Sequence, residues 1–312
     1  MCLLFQRRRS LLVVCGIVAL YGCFWLSRRN NTGRTDSGAE NSTLDLPTDG
    51  PFLRSAQLHL LVQFPVLNIS DPIRDEHLVM RQKEFIFCLQ RNLLSPHVRK
   101  VYIFFEHDQD STFVKALNLV GDSKLVFHSF GFGRLWTYKD AIDFASSHLL
   151  HKNVMILHAD IYVHQGFEHL NETILSNKTM YFLTRHAMQG NRSLCPHEAS
   201  EGTCDPKSRY IGSHDALLFR LLKPVSSEVL NKIDYRGNLY GIEQVLIFYL
   251  RTYEGFKFKN PCKILQVVHR HCMKSAERKH SGFFQGQRID NYLKLSRKHK
   301  PGKLIYAPFS DL

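Results

Sequence analysis

The sequence has no Cys-X-X-Cys pair, so no spacing in it suggests a structural zinc site. It shows no internal repeat. Acidic residues are in the minority. The 28 Asp and Glu stand against 41 Lys and Arg, for a formal charge of +13 and a pI of about 9.4. That balance favours anionic partners: nucleic acid, a phospholipid surface, nucleotide phosphates or acidic glycans. No small-residue cleavage site follows the apolar run near the N-terminus, where a bulky "CFWLSRR" stands instead.

What is present narrows the list. Arg7, Arg8 and Arg9 precede the uncharged run Ser10–Ser27, "SLLVVCGIVALYGCFWLS", and Arg28 and Arg29 follow it. A bilayer needs about 17 to 25 apolar residues, so this run sits at the short end. A cleaved signal peptide and an uncleaved anchor compete; the length and the missing cleavage site favour the anchor. A short span suits the thinner early secretory membranes. Glycosylation sequons at Asn30, Asn41, Asn68, Asn171, Asn177 and Asn191 put the rest of the chain in the lumen. Nucleic acid is thereby excluded as a natural partner. The expected organisation is a cytoplasmic tail (1–9), a transmembrane signal anchor (10–27), a flexible stem (28–56) and a lumenal domain (57–312). The expected protein is therefore single-pass type II, of the Golgi or endoplasmic reticulum membrane.

Of eight cysteines, Cys2, Cys15 and Cys23 belong to the tail and anchor. Cys88, Cys195, Cys204, Cys262 and Cys272 are lumenal, an odd number, so one is free or pairs between chains. Cys195 and Cys204 flank the polar loop "PHEASEGT", and a disulfide is expected there. Cys262 and Cys272 bound an apolar strand-like run that would hold them roughly 30 Å apart, too far to bond each other.

From residue 58, strand-like and helix-like segments alternate. Strands are expected at 58–66, 101–106, 124–130, 153–159, 180–186 and 262–272. Helices are expected at 75–94, 111–119, 137–150 and 241–254. Thr137 followed by Asp140 reads as a helix cap with its box. Such alternation predicts an α/β fold with a mostly parallel central sheet and flanking helices. In "VMILHADIYV" a carboxylate, Asp160, ends an apolar strand, where ligands of such sheets bind. It is either a cap for the next element or a metal ligand.

Four blocks occur in order across residues 58–272: "GRLWTYKDAIDFAS", "HADIYV", "GSHDALLF" and "YGIEQVLIFYLRTYEGFKFKNPCKILQVVHRH". Together they resemble a largely uncharacterised family of GT-A glycosyltransferases with a strand-end NSDIYF signature. The resemblance implies a GT-A-like fold, a nucleotide-diphospho-sugar donor, a divalent metal (Mn2+ or Mg2+), and a glycan or glycoconjugate acceptor, possibly acidic. It implies that Asp160 holds the metal, with His269 or His271 as a further ligand. Glu243 stands like the acidic residue of the xED motif and would serve as general base. Asp215 would face the acceptor. Arg134, Thr137 and Tyr138 would meet the nucleotide, beside His158. Two positions depart from the pattern: His158 replaces the first carboxylate of Asp-X-Asp, and Ser146 stands where the family has Asn.

Plainer readings accompany each residue. Glu243 compensates a helix dipole, Asp215 satisfies loop amides, Tyr138 packs, and the histidines end a strand. The basic run from Arg270 to Lys303 is a solvated face, or it attracts a diphosphate or an acidic glycan. The chain is thus expected to be a metal-dependent glycosyltransferase. Its rivals are an inactive, membrane-anchored, lectin-like protein and a structural membrane protein that only echoes the fold.

Overall fold

The structure, a computed structural model, describes residues 57–129, 136–171, 173–175, 178–187, 204, 214–235, 241–270, 272 and 306–312. The expected tail, anchor and stem lie outside these. Among the described residues no helix is long and apolar enough to cross a membrane.

Strands and helices alternate through the first half: β1 (Leu58–Gln63), α1 (Glu76–Leu94), β2 (Val98–Phe105), α2 (Asp108–Ala116), β3 (Leu125–Ser129), α3 (Tyr138–His148) and β4 (Asn153–Leu157). There follow β5 (Ile161–Val163), β6 (Thr179–Leu183), β7 (His186–Ala187), β8 (Ala216–Arg220), α4 (Ser227–Lys232), α5 (Ile242–Glu254), β9 (Lys257–Lys259) and β10 (Val267–His269). Seven strands form the central sheet, in the order β3-β2-β1-β4-β8-β6-β9. Neighbours are parallel except where β8 runs against β4 and β6. The mixed α/β architecture with a mostly parallel sheet is the one expected. The chain winds outward from β1 to β3, then returns to the other side of β1 as β4. The carboxyl ends of β1 and β4 therefore flank the switch point, where open α/β sheets bind ligands.

Both faces of this sheet are buried, which is why its strands are nearly continuous apolar runs. Side chains alternate between two cores. Leu60, Val62, Met155, Leu157 and Leu218 face Phe85, Ile86 and Leu89 of α1 and Phe113 of α2. Leu61, Val154, Ile156, Leu217 and Phe219 face Ala141 and Ile142 of α3 and Val245 and Leu246 of α5. Each such Leu, Ile or Phe contributes about 1.5–3 kcal/mol when fully buried. The α3 start is the expected capping box, Thr137 with Asp140.

Helix α1 also carries buried amides that satisfy passing backbone. Gln82 bonds Leu67 N–H and Pro65 C=O. Gln90 bonds both backbone groups of Val120. Asn92 bonds Ile161 C=O at 3.0 Å and Val163 N–H at 2.9 Å, acting as a strand partner for β5. A second sheet, β5-β10-β7, sits under this helix. Its antiparallel pairing sets Ile161 opposite His269. Bonds from His164 N–H to Gln266 C=O and from Gln266 N–H to Gln165 C=O continue that pairing. Gly166, at φ +90°, closes it: a Cβ there would lie 1.7 Å from the Ile264 carbonyl oxygen.

Two expectations need correction. The strand expected over 262–272 is a short strand preceded by a turn, in which Pro261 C=O accepts from Ile264 and Leu265 N–H. And Cys204 bonds Cys262, not Cys195, with Cα atoms 5.9 Å apart and a separation of 58 positions in sequence. The turn after Pro261 presents Cys262 to Cys204, whose N–H bonds Arg185 C=O. Sequence proximity suggested a local loop closure; the fold supplies a long-range one. Cys195 lies outside the described residues, and Cys272 is itself disulfide-bonded. Cys88 is free and buried.

Non-reducing peptide mapping is expected to recover a Cys204–Cys262 peptide. Cys262→Ser is expected to lower stability by about 2–5 kcal/mol, read by urea denaturation. Recovery of Cys204 as an alkylated thiol from folded protein would reject the pairing.

Candidate functional site

The turn after β4 sets the site. Ile161 N–H bonds His158 C=O at 3.1 Å, and Arg270 N–H bonds Asp160 C=O at 2.9 Å. These bonds aim the Asp160 side chain toward α1 and the end of β10. The carboxylate is buried, with 7% of the residue exposed. Its Oδ2 accepts from Arg81 Nη2 at 2.5 Å and lies 3.0 Å from His269 Nε2. Arg81 also donates through Nη1 to Glu84 Oε2 at 2.5 Å, and Glu84 Oε1 accepts from Cys272 N–H at 2.5 Å. The guanidinium thus bridges two buried carboxylates. Burial pushes the Asp160 carboxyl up, but the Arg81 and His269 charges and the His269 hydrogen bond outweigh it and hold the group well below the usual carboxylate range. Glu84 goes the other way: burial raises it, and Arg81 offsets only part.

A second cluster lies on the same sheet edge. The β4–β8 register sets Leu157 opposite Ala216, so Asp215 falls beside the His158–Asp160 turn. Asp215 N–H bonds Leu183 C=O, and its Oδ1 accepts from Arg185 Nη1 at 2.8 Å. Glu243 occupies the first turn of α5, after Gly241 at φ +86°. Its carboxyl is pushed up to about 8 by burial, with the Asp215 charge adding. The buried Tyr138 hydroxyl is likewise pushed well up by burial, then by the charges of Glu243 and Asp215. Tyr138, Asp215 and Glu243 therefore form one electrostatic group.

The structure thus brings Asp160 beside His269, and Asp215 beside Glu243 and Tyr138. His158 forms the turn and acts on Asp160 through its charge. Arg134 and His271 lie outside the described residues. Thr137 is spent on its cap, accepting from Asp140 N–H and donating to Asp140 Oδ2. Tyr138 is 7% exposed within the α3–α5 core, which leaves little ring for a nucleobase. Ser146, where the family pattern has Asn, is a buried packing residue that accepts from Val225 N–H.

A divalent ion was expected on Asp160 with a histidine. The residues present do not fit one as they stand. The Asp160 oxygen that would bind it already faces a guanidinium and an imidazole. Among the described residues no group of three or more His, Cys, Asp or Glu converges to hold a metal. Sequence reasoning missed Arg81, Glu84 and Arg185. A signal existed for the first two: a charged pair spaced i,i+3 on the same apolar face as Phe85 and Leu89.

No family model matches the chain, and no curated protein matches it. Among solved structures, it is similar to the mannosyltransferase PcManGT from Pyrobaculum calidifontis in complex with GDP-Man and Mn2+. The identity is 11%, the TM-score 0.38, and the match covers 84% of this chain and 66% of that one. It is also similar to 4-diphosphocytidyl-2C-methyl-D-erythritol synthase from Anaerococcus prevotii, with 9% identity, a TM-score of 0.39 and coverage of 75% and 97%. A third, HddC from Yersinia pseudotuberculosis, gives 10% identity, a TM-score of 0.34 and coverage of 72% and 98%. Likeness at this level assigns no function.

Asp160→Asn is expected to destabilise the fold, because it leaves the buried guanidinium short of a counter-charge. A loss of about 3–5 kcal/mol at pH 7 is expected from urea denaturation. The folded-state value is depressed, so the contribution is fully present above about pH 4, the unfolded value, and is lost progressively below it, as pH falls through the depressed folded-state value. The gap between variant and wild type therefore narrows in acid. Equal stability at pH 7 would show that the pair does not hold the fold.

Proposed function

We propose that the chain is a membrane-anchored glycosyltransferase of the secretory pathway, using a nucleotide-diphospho-sugar donor and a glycan or glycoconjugate acceptor. One observation carries this reading: Asp160, Asp215 and Glu243 gather on the sheet edge at the topological switch point. Ligands of doubly wound sheets bind there. The four ordered sequence blocks support the same reading, since three of them supply those three carboxylates.

On this reading the donor lies across the β1–β4 switch point and the acceptor approaches the start of α5. Glu243 in its ionised form takes the proton from the acceptor hydroxyl as that oxygen attacks the anomeric carbon. The nucleoside diphosphate leaves with the bonding pair. Burial keeps Glu243 basic, and the charge of Asp215, fixed by Arg185, adds to it. A base raised to about 8 accepts a proton more strongly than an ordinary carboxylate, but it is ionised in only a minority of molecules at pH 7.

Glu243→Gln is expected to lower turnover by about a hundred- to ten-thousand-fold, with donor affinity near wild type. The wild-type rate is expected to rise with pH through about 8, and the variant is expected to lose that limb. Stability moves oppositely. The folded value is raised, so the wild type loses stability relative to the Gln variant as pH rises from about 4.5 to about 8, and the loss levels off above that. Kinetics across a panel of nucleotide sugars, read beside melting curves at pH 6 and pH 9, test this. Full activity in the Gln variant would end the catalytic assignment.

A further inference from the structure

We infer that the Arg81 guanidinium fills the cation position at the end of β4, so that this site works without a divalent metal. The inference concerns the site assigned above to the donor, but it stands on separate contacts. Glu84 Oε2 and Asp160 Oδ2 both accept from the Arg81 guanidinium, and His269 Nε2 lies 3.0 Å from Asp160 Oδ2. Two carboxylates and an imidazole are donors that suit a hard or borderline divalent ion. Between the two carboxylates stands Arg81, 2.5 Å from each and with 16% of its side chain exposed.

A guanidinium there is a permanent charge that cannot be removed at any accessible pH. An ion bound to Asp160 Oδ2 at about 2.1 Å would lie within a few ångströms of that charge. The repulsion would be poorly screened in so buried a place. The oxygen's second donor, His269, would also have to turn its lone pair to the metal. The position is fixed by the fold as well. Arg81 and Glu84 are one helical turn apart on α1, Cys272 N–H holds Glu84, and the Arg81 guanidinium stacks on the Phe85 ring at 4.6 Å. What a metal supplies elsewhere, a fixed positive charge at the strand end, is supplied here by a side chain.

The experiment uses the purified lumenal protein and Mn2+ alone, without nucleotide. Wild type is expected to show no calorimetric Mn2+ binding at this site and no change in melting temperature on adding Mn2+ or EDTA. Arg81→Ala removes the charge and leaves Glu84, Asp160 and His269 facing a gap. It is expected to melt lower but to regain about 5 °C or more with saturating Mn2+, an effect absent when His269→Ala is added. Wild type that binds Mn2+ tightly, or melts lower in EDTA, overturns the inference. A folded Arg81→Ala protein with no response to Mn2+ also overturns it. Should that variant not fold, the wild-type measurements decide. Titration of GDP and UDP into wild type in EDTA separates this inference from the transferase reading. Binding in EDTA supports both, and binding only with Mn2+ overturns the inference alone. Absence of binding under both conditions counts against the transferase reading and leaves the Mn2+ result to stand by itself.

Discussion

A guanidinium held between two buried carboxylates ties together three distant parts of the chain. Arg81 joins the first helix to the turn after β4 through Asp160. Glu84, on the same helical face, reaches the backbone at Cys272. His269 completes the ring from the end of β10. Burying such charges is costly unless each is matched, and here each has a close partner. Removing one member would leave the others unpaired in a dry place. The orientation of the second sheet under α1, and the geometry of the sheet edge, depend on this set staying whole.

The sheet edge carries two chemically different clusters. At Asp160 the carboxylate is kept ionised by its cationic neighbours. At Glu243 burial and a neighbouring negative charge keep the proton on. Carboxylates pushed in opposite directions on one edge give it both a fixed anion and a group that exchanges protons near neutrality. On the proposed reading, that division favours Glu243 over Asp160 for proton transfer.

Much of the fold could be read from the chain. The alternation of apolar strands with amphipathic helices announced the central sheet, and Thr137 with Asp140 announced the start of α3. Local periodicity carries that information. The disulfide could not be read in this way: Cys195 and Cys204 are near in sequence, but only the turn after Pro261 brings Cys262 to Cys204. The resemblance put His269 or His271 near Asp160 without choosing between them; the β5–β10 register sets His269 beside Asp160, and His271 lies outside the described residues. Arg81 escaped notice because with Glu84 it reads as an ordinary i,i+3 surface pair until its other partner, Asp160, is known. That partner lies 79 residues further along the chain.

The spacing of the charged set along the chain bears on how the protein is made. Arg81 and Asp160 are 79 residues apart, Asp160 and His269 are 109, and Glu84 and Cys272 are 188. During synthesis, α1 emerges long before the segment that satisfies Glu84 and Asp160. Until residue 272 has emerged, the helix carries a half-matched charge on its apolar face and has reason not to dock firmly. Loop closure over such distances is slow relative to helix formation. The β1–β4 half can therefore collapse early, while the edge that would bind ligand locks last. A chain stalled before its late strand would keep most of its sheet and lack its site.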